Sequence, residues 1–251
     1  MKTSHKLVGA ALLAAVGAGL AIPSATKADF DGTDASGKGT VEFTTDTSTN
    51  PTNLPPGEST GDPLTAPSQN PNPGTLKVVS VTDIDFDSHA IVANDSEKTY
   101  DALPFTDGNQ TTAHFVRFQD VRSDVASNYY TVKAALTSQF TNTAMSSTLD
   151  GATLTYKNIS LVTGTNAATL PTDAVQEVTS LEFADDGSKA QVFVESNEDG
   201  KGFGVFEIMF DTTANAQADT YDGVTLTVPG DNVLKAGQYQ AEITWTIADA
   251  N

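Results

Sequence analysis

Apolar and polar residues alternate with a period of two along much of this chain, most clearly at residues 235–247, KAGQYQAEITWTI. The apolar side chains of this stretch all occupy odd positions: Tyr239, Ala241, Ile243, Trp245 and Ile247. Because successive side chains of a strand point to opposite faces, the pattern predicts a half-buried β-strand that carries the single tryptophan. Residues 129–136, YYTVKAAL, repeat this pattern and predict a second such strand, with Tyr130 and Val132 on its apolar face.

Short alternating runs separated by Gly, Asp or Asn recur from residue 74 to the C-terminus, and no stretch has helical periodicity. They predict strands at residues 76–86, 112–118, 129–140, 152–162, 175–183, 189–195, 203–211, 221–228 and 238–247. Residues 184–188, ADDGS, predict a hairpin turn, and Asp199-Gly200 opens a second tight connection. This spacing predicts an all-β fold, either an antiparallel β-sandwich or a partly closed barrel.

Three segments of different composition divide the chain. Residues 1–28 are typical of a signal peptide, with Lys2 and Lys6 before an Ala- and Leu-rich run and a Thr-Lys-Ala site at its end. The alternative, a membrane anchor, is disfavoured because the run is shorter than the ~20 residues of a span. Residues 29–73 are rich in Pro, Thr, Asn and Asp and predict an extended linker, in which GTVEFT (residues 39–44) is either a detached strand or unstructured. Residues 74–251 form the predicted β domain.

Composition narrows the classes of function. The chain has no cysteine among its 251 residues, which excludes disulfides and thiolate metal sites. Its formal net charge of −19 argues against nucleic acid and against an anionic membrane surface as partners. Once the signal peptide is removed, no membrane span is expected. A polymer with neutral polar or cationic groups remains compatible with this charge.

No constellation of residues predicts catalysis or a cofactor. His89 and His114 lack the local signature of a nucleophile or its base. The DIDFD run at residues 83–87 begins like a calcium loop, but Ser88 and Asn94 stand where that loop needs Gly and Glu. The carboxylates near residues 185–199 fall on predicted turns, where solvation keeps them ionised. We therefore expect a protein that is not an enzyme and that binds no metal.

The chain as a whole resembles the WxL family of cell-surface proteins from Gram-positive bacteria. The similar features are the leader, the GTVEFT fragment, the spacer, the domain opening TLKVVSVTDIDFDSHAI (residues 75–91), the LDGATL segment (residues 149–154) and two short motifs. The distal motif is Trp245-Thr246-Ile247, with Ile for the family's usual Leu. The proximal motif, which follows FQDVR at residues 118–122, has Tyr130-Thr131-Val132 in place of Trp-x-Leu.

The resemblance implies a secreted protein that is held non-covalently on the cell wall by a peptidoglycan-binding C-terminal domain. It also implies assembly with other cell-surface proteins of the same envelope. On this interpretation the rings of Tyr130 and Trp245 stack on glycan faces, and neighbouring residues complete the site: Thr131, Val132, Thr244, Thr246 and Ile247. An alternative is a structural or adhesive module displayed through another surface protein, in which both motifs are core. A secreted glycan hydrolase is permitted by the carboxylates but is otherwise unsupported.

Overall fold

The structure is a computed structural model. It describes residues 30–31, 34–35, 40–42, 52–58, 60–92, 94–122, 127–163, 170–171, 173–174, 177–218 and 220–250. The predicted signal peptide, residues 1–28, lies outside this part of the chain. In the residues that are described, no helix has the length and apolar character needed to cross a membrane.

The chain divides into two units, Met1–Phe43 and Thr44–Asn251. In the first unit, strand β1 (Phe30–Asp31) pairs antiparallel with β2 (Asp34–Ala35). Of the GTVEFT fragment, Thr40, Val41 and Glu42 are described; all three are exposed and lie outside any strand.

The regular secondary structure of the second unit is almost entirely β-strand. In chain order they are β3 (Ser68–Gln69), β4 (Leu76–Val81), β5 (Lys98–Asp101), β6 (Phe105–Asp107), β7 (Gln110–Thr112), β8 (His114–Asp120), β9 (Tyr130–Asn142), β10 (Ser147–Thr148), β11 (Thr153–Tyr156), β12 (Ile159–Thr163), β13 (Asp173–Ala174), β14 (Val178–Glu182), β15 (Gln191–Ser196), β16 (Gly204–Phe210), β17 (Val224–Val228) and β18 (Gln240–Asp249). A short helix, α1 (Thr213–Gln217), connects β16 to β17 and is capped by Thr212.

These strands form three antiparallel sheets. Sheet A has the order β10-β9-β15-β13, with β18 also paired to β9; sheet B has the order β12-β16-β8-β4-β3; and sheet C has the order β14-β11-β17-β5. The short hairpin β6-β7 forms a separate two-stranded sheet. The sheets remain separate and do not close into a barrel. The predicted all-β antiparallel class is therefore confirmed.

One apolar core fills the space between the three sheets. Aromatic contacts join sheet A to sheet B through Phe118 and Tyr130, and sheet A to sheet C through Tyr156 and Phe193. Every residue of β8 and β16 is buried, including polar ones, which shows that both faces of sheet B are covered. Since the chain has no disulfide, this burial and the strand pairing supply the stability of the fold.

Nearly all of the predicted strands are present, with shifted ends. The strand predicted at residues 76–86 ends at Val81, although Ile84 and Phe86 stay half-buried while the aspartates between them are exposed. The strand predicted at residues 152–162 is divided into β11 in sheet C and β12 in sheet B. Local alternation marks extended chain, but it does not show where a chain leaves one sheet for another.

The hairpin predicted at residues 184–188 is wrong. Gly187 does make the expected turn, with a φ of +68° and an amide bonded to the carbonyl of Ala184. The flanking strands, however, belong to different sheets: β14 pairs with β11 in sheet C, and β15 pairs with β9 in sheet A. A turn sequence specifies a local reversal of the chain, while the pairing partner depends on distant residues.

Part of the predicted linker belongs to the packed second unit. Leu54 and Leu64 are buried, and Ser68–Gln69 pairs with β4. Leu64 joins the main core cluster. The domain boundaries at residues 28 and 73 stay predictions, but chain that precedes residue 74 already contributes to the packing of the sheets.

Candidate functional site

The two motif segments, which are far apart in the sequence, lie side by side in sheet A. Strand β18 pairs antiparallel with β9, so that Trp245 is opposite Ala134, Ile247 is opposite Val132 and Asp249 is opposite Tyr130. Paired residues of neighbouring strands share a face of the sheet. The pairing therefore brings all seven predicted site residues onto two adjacent strands.

The motif rings point into the core. Tyr130 is 0% exposed, and its ring meets Phe118 edge to face with 5.9 Å between centroids. Trp245 is half-buried and contacts three buried rings, with centroid distances of 4.6 Å to Phe193, 5.7 Å to Phe210 and 6.1 Å to Tyr156. Such aromatic contacts add to the free energy gained from burying the rings.

The hydroxyl end of Tyr130 is fixed by a hydrogen bond and by close packing against Gly202. Its hydroxyl donates a 3.0 Å hydrogen bond to the carbonyl of Gly202, and burial raises the pKa of the phenol above its ordinary value. A Cβ on Gly202 would lie 2.7 Å from the Tyr130 hydroxyl, and the φ of Gly202 is +74°, so only glycine fits there. Because Tyr130 has no exposed surface, its ring offers no face for a glycan to stack on. The structure thus places Tyr130 in a packing position in the core, and the stacking role stays a prediction.

Replacing Tyr130 by phenylalanine tests this packing role. We expect the unfolding free energy to fall by about 1–2 kcal/mol, because the Gly202 carbonyl loses its donor in a buried site. Urea denaturation followed by circular dichroism measures the change. Tyr100→Phe, at a half-buried position on β5, is the matched control and is expected to change stability by less than about 0.5 kcal/mol. A Tyr130→Phe protein as stable as wild type would contradict the packing role.

The opposite face of the same strand pair is polar. Because side chains alternate along β9 and β18, one set of polar residues faces outward. We call this set the threonine face: Thr131, Lys133, Thr137, Thr244 and Thr246. The hydroxyls of Thr137 and Thr244 are hydrogen-bonded across the strands at 2.8 Å. Thr246 is exposed and lies opposite Lys133, which adds a positive charge. Ala135 and Ala248 lie on the same face between the hydroxyls, and the turn at Gly187 lies beside Ala135.

The predicted site is therefore divided between two faces. Thr131, Thr244 and Thr246 lie on the threonine face, whereas Tyr130 and Val132 are buried on the inner face. Trp245 and Ile247 are also on the inner face but are half-buried. Sequence reasoning did not select Lys133 or Thr137, although the alternation of YYTVKAAL already put Lys133 on the polar side.

Among the described residues, no group of three or more His, Asp or Glu side chains is arranged to hold a metal ion. His114 is buried in sheet B, where it contacts Thr82 and Leu103, and is not part of the motif strands. The chemistry of the candidate site is that of hydroxyl groups and one ammonium group, with the exposed carboxylate of Glu242 beside them on β18.

Comparison with known families decides the identity of the chain. The family model that matches is the WxL domain, described as surface cell wall-binding, and it covers residues 31–250. The chain belongs to the WxL family. Comparisons with curated proteins and with solved structures gave no match. As a member of this family, the protein is located at the cell surface and cell wall and carries a wall-binding domain.

The WxL match includes the N-terminal part of the predicted linker, beginning at residue 31. In this WxL protein the altered proximal motif is accommodated by packing, since the phenol of Tyr130 fits against Phe118 and bonds to Gly202. The substitution of Ile247 for leucine retains an apolar side chain of the same volume on the inner face.

An arginine fixes the C-terminal end of the distal motif strand of this WxL protein. The guanidinium of Arg122 bonds to Asp120 at 2.8 and 3.0 Å and to Asp249 at 2.9 Å. The hydrogen bonding that Arg122 donates to the fully buried carboxylate of Asp120 is the main cause that raises the pKa of Arg122. These contacts tie the end of β18 to β8 and hold the two motif strands in register.

Proposed function

We propose that this WxL protein attaches non-covalently to peptidoglycan and that the threonine face is its binding surface. The observation that carries the proposal is the pairing of β9 with β18, which unites both family motifs and leaves Thr131, Thr244 and Thr246 facing outward. The family description as surface cell wall-binding supports the wall as the location of the ligand.

The chemistry of this face suits a wall polymer. Each threonine hydroxyl donates one hydrogen bond and accepts others, which matches the hydroxyl and amide groups of glycan strands and stem peptides. Lys133 supplies an ammonium group for a stem-peptide carboxylate. In this proposal the inner residues Trp245 and Ile247 support the surface from beneath.

The net charge favours this class of ligand over other envelope polymers. With −19 for the whole chain, anionic wall polymers are repelled, and neutral or amine-bearing parts of peptidoglycan are not. An ammonium group within an acidic protein also gives the ligand a defined point of attachment at Lys133. We therefore expect binding to weaken when Lys133 is neutralised.

Co-sedimentation with purified peptidoglycan sacculi, stripped of proteins and of teichoic acids, tests the proposal. We expect the wild-type protein to pellet saturably. The variant Thr244→Val/Thr246→Val is expected to bind at least tenfold more weakly, because valine keeps the shape and β-propensity of threonine but removes its hydroxyl. Lys133→Gln is expected to weaken binding in the same direction.

The matched control is Thr99→Val, an exposed threonine on β5 of sheet C. This control is expected to bind as the wild type does. Circular dichroism and the fluorescence of Trp245 establish that each variant is folded. If the Thr244/Thr246 variant is folded and binds sacculi with unchanged affinity, the threonine face is not the binding surface.

A second function is favoured by the direction of the two motif rings. Because Tyr130 is fully buried and Trp245 contacts three core rings, both motifs also serve a scaffold that is displayed through another cell-surface protein. In that case, the folded wild-type protein would not pellet with bare sacculi. It would pellet only with walls that retain their surface proteins.

A further inference from the structure

A short stretch of chain before β3 is bound like a peptide ligand across the outer face of sheet B. Arg117 of β8 donates hydrogen bonds to the carbonyls of Thr52 and Leu54 at 2.9 and 2.6 Å. It also donates to the side-chain oxygen of Asn53 at 2.8 Å. Three donors of one side chain thus hold three consecutive residues.

The arginine itself is fixed and shielded from water. Its Nε donates to Glu207 of β16 at 2.8 Å, and the two side chains are 3% and 0% exposed. A guanidinium held on one side by a carboxylate presents its remaining donors in a rigid, planar arrangement. A guanidinium this deeply buried needs acceptors for its N–H groups, and the bound stretch of chain supplies three of them. Among the described residues, Glu207 Oε2 and Asn53 Nδ2 have no hydrogen-bond partner.

The bound stretch crosses the strands of sheet B. Asn53 accepts a 2.8 Å bond from Ser80 of β4, Arg117 belongs to β8, and Glu207 belongs to β16. Beyond them, Gly57 lies beside Val162 of β12. We call this surface the sheet B groove, lined by Ser80, Arg117, Val162 and Glu207.

The groove recognises side chains as well as backbone. Asn53, Leu54 and Pro55 are all buried, and the oxygen of Asn53 accepts bonds from both Arg117 and Ser80. Pro55 has a fixed φ, which lowers the entropy lost on binding. The backbone turns on both sides of the segment, because the amide of Leu54 donates to the carbonyl of Thr52 at 3.0 Å and that of Glu58 to the carbonyl of Pro55 at 3.1 Å. Asn53 is therefore recognised by hydrogen bonds, and Leu54 and Pro55 are enclosed by burial.

We propose that the sheet B groove is a peptide-binding site for an Asn-Leu-Pro segment, filled by the protein's own residues 53–55 and able to accept those of a second copy. The described residues that follow, Gly57, Glu58 and residues 60–63, are exposed. They form a loop whose ends are joined by a 2.6 Å hydrogen bond from the amide of Leu64 to the carbonyl of Asn53, and opening of this loop would free the segment for exchange. Exchange of an identical segment between copies forms the same contacts in the dimer as in the monomer. This inference is independent of wall binding.

The protein's own segment is tethered to the groove and therefore competes with an added peptide at a high effective concentration. The groove must be emptied of this segment before binding of the added peptide can be detected. The full chain with Asn53→Ala/Leu54→Ser removes the anchoring side chains and leaves the groove residues unchanged. The probe is a fluorescein-labelled peptide of residues 51–58, PTNLPPGE. Fluorescence anisotropy measures its binding, and circular dichroism establishes that the variant is folded.

We expect saturable binding of the peptide to the emptied variant and at least tenfold weaker binding to the wild-type protein. A peptide carrying the same two substitutions is expected to bind the emptied variant at least tenfold more weakly than the natural peptide. The proposal is overturned if the folded, emptied variant does not bind the peptide, or if it binds both peptides equally.

A second measurement uses the unmodified chain and does not depend on the stability of the variant. The protein is refolded at increasing concentration and examined by size-exclusion chromatography with light scattering. We expect a dimer whose fraction rises with the concentration during refolding and which persists on dilution. Added PTNLPPGE peptide, present during refolding, is expected to reduce the dimer fraction. A protein that is monomeric at every concentration would contradict exchange with a second copy.

Discussion

Trp245→Ala is expected to lower the unfolding free energy by about 3 kcal/mol, the largest effect that we predict for a single substitution in this protein. The indole contacts Phe193, Phe210 and Tyr156, and all three of these rings are buried. Alanine would leave a cavity between sheets A, B and C that these rings cannot close without moving. Urea denaturation followed by circular dichroism measures the loss.

Two further variants show whether the loss of stability is due to removal of the indole ring. Thr246→Ala, the exposed neighbour on the opposite face, is expected to change stability by less than about 0.5 kcal/mol. Trp245→Phe retains an aromatic ring and is expected to recover part of the loss. If Trp245→Ala remains as stable as the wild type, the indole is not a core residue and a stacking role in ligand binding gains support. A folded Trp245→Ala protein that still pellets with sacculi would exclude that stacking role.

Acid is expected to destabilise the fold through His114. Burial lowers the pKa of this imidazole from 6.5 to about 4. The hydrogen bond to the Leu103 carbonyl and the negative charges of Asp83 and Asp85 act in the other direction but are smaller effects. Its Nε2 donates to the carbonyl of Leu103 at 2.9 Å, and Nδ1 is 3.1 Å from the Thr82 hydroxyl, so the neutral form is satisfied. The rings of Phe105 and Tyr221 enclose it further.

The direction of the pH dependence follows from proton binding. Between pH 6.5 and pH 4 the unfolded chain binds a proton on this histidine and the folded chain does not, so the unfolding free energy falls as the pH is lowered. At about 1.4 kcal/mol per pKa unit, the loss attributable to His114 reaches about 3 kcal/mol at pH 4. Above pH 6.5 this contribution is constant.

Urea denaturation at a series of pH values measures this dependence. His114→Gln is expected to flatten the slope between pH 6.5 and pH 4, because glutamine offers a donor and an acceptor without titrating. His89→Gln removes the exposed histidine that is stacked on Tyr100 and is the control for loss of an imidazole from the surface. A slope that persists in His114→Gln would assign the acid sensitivity to other groups.

The two stability predictions and the binding experiments address different parts of the fold. Trp245 and His114 report on the core between the sheets, whereas Thr244, Thr246 and Lys133 report on an outer face of sheet A. The peptide experiment reports on the outer face of sheet B. Each proposal can therefore fail without the others failing, provided that the variant protein remains folded.

The sequence predicted much of the secondary structure because alternation is a local property. The Tyr130–Asn142 and Gln240–Asp249 strands follow directly from a period of two, which also assigns each side chain to one of two faces. The family resemblance rested on short motifs and is confirmed by the match over residues 31–250. Composition alone had already excluded disulfides, since the chain has no cysteine.

The linker prediction shows where composition is a poor guide. Residues 52–58 are rich in proline and polar residues, and nothing local distinguishes them from the rest of the spacer. Their contacts depend on Arg117 and Glu207, which are more than sixty positions distant. An isolated arginine within an alternating run gives no sign that it will be buried and will bind backbone carbonyls.

The sequence by itself determined that this is an all-β protein with two amphipathic strands that carry the family motifs. Only the tertiary structure decided which face of those strands is covered. Alternation separates Tyr130 and Trp245 from Thr131 and Thr246, but it does not show which set meets Phe193 and Phe210. That outcome depends on the free energy of burying rings from three sheets together, a property of contacts between residues far apart in the chain.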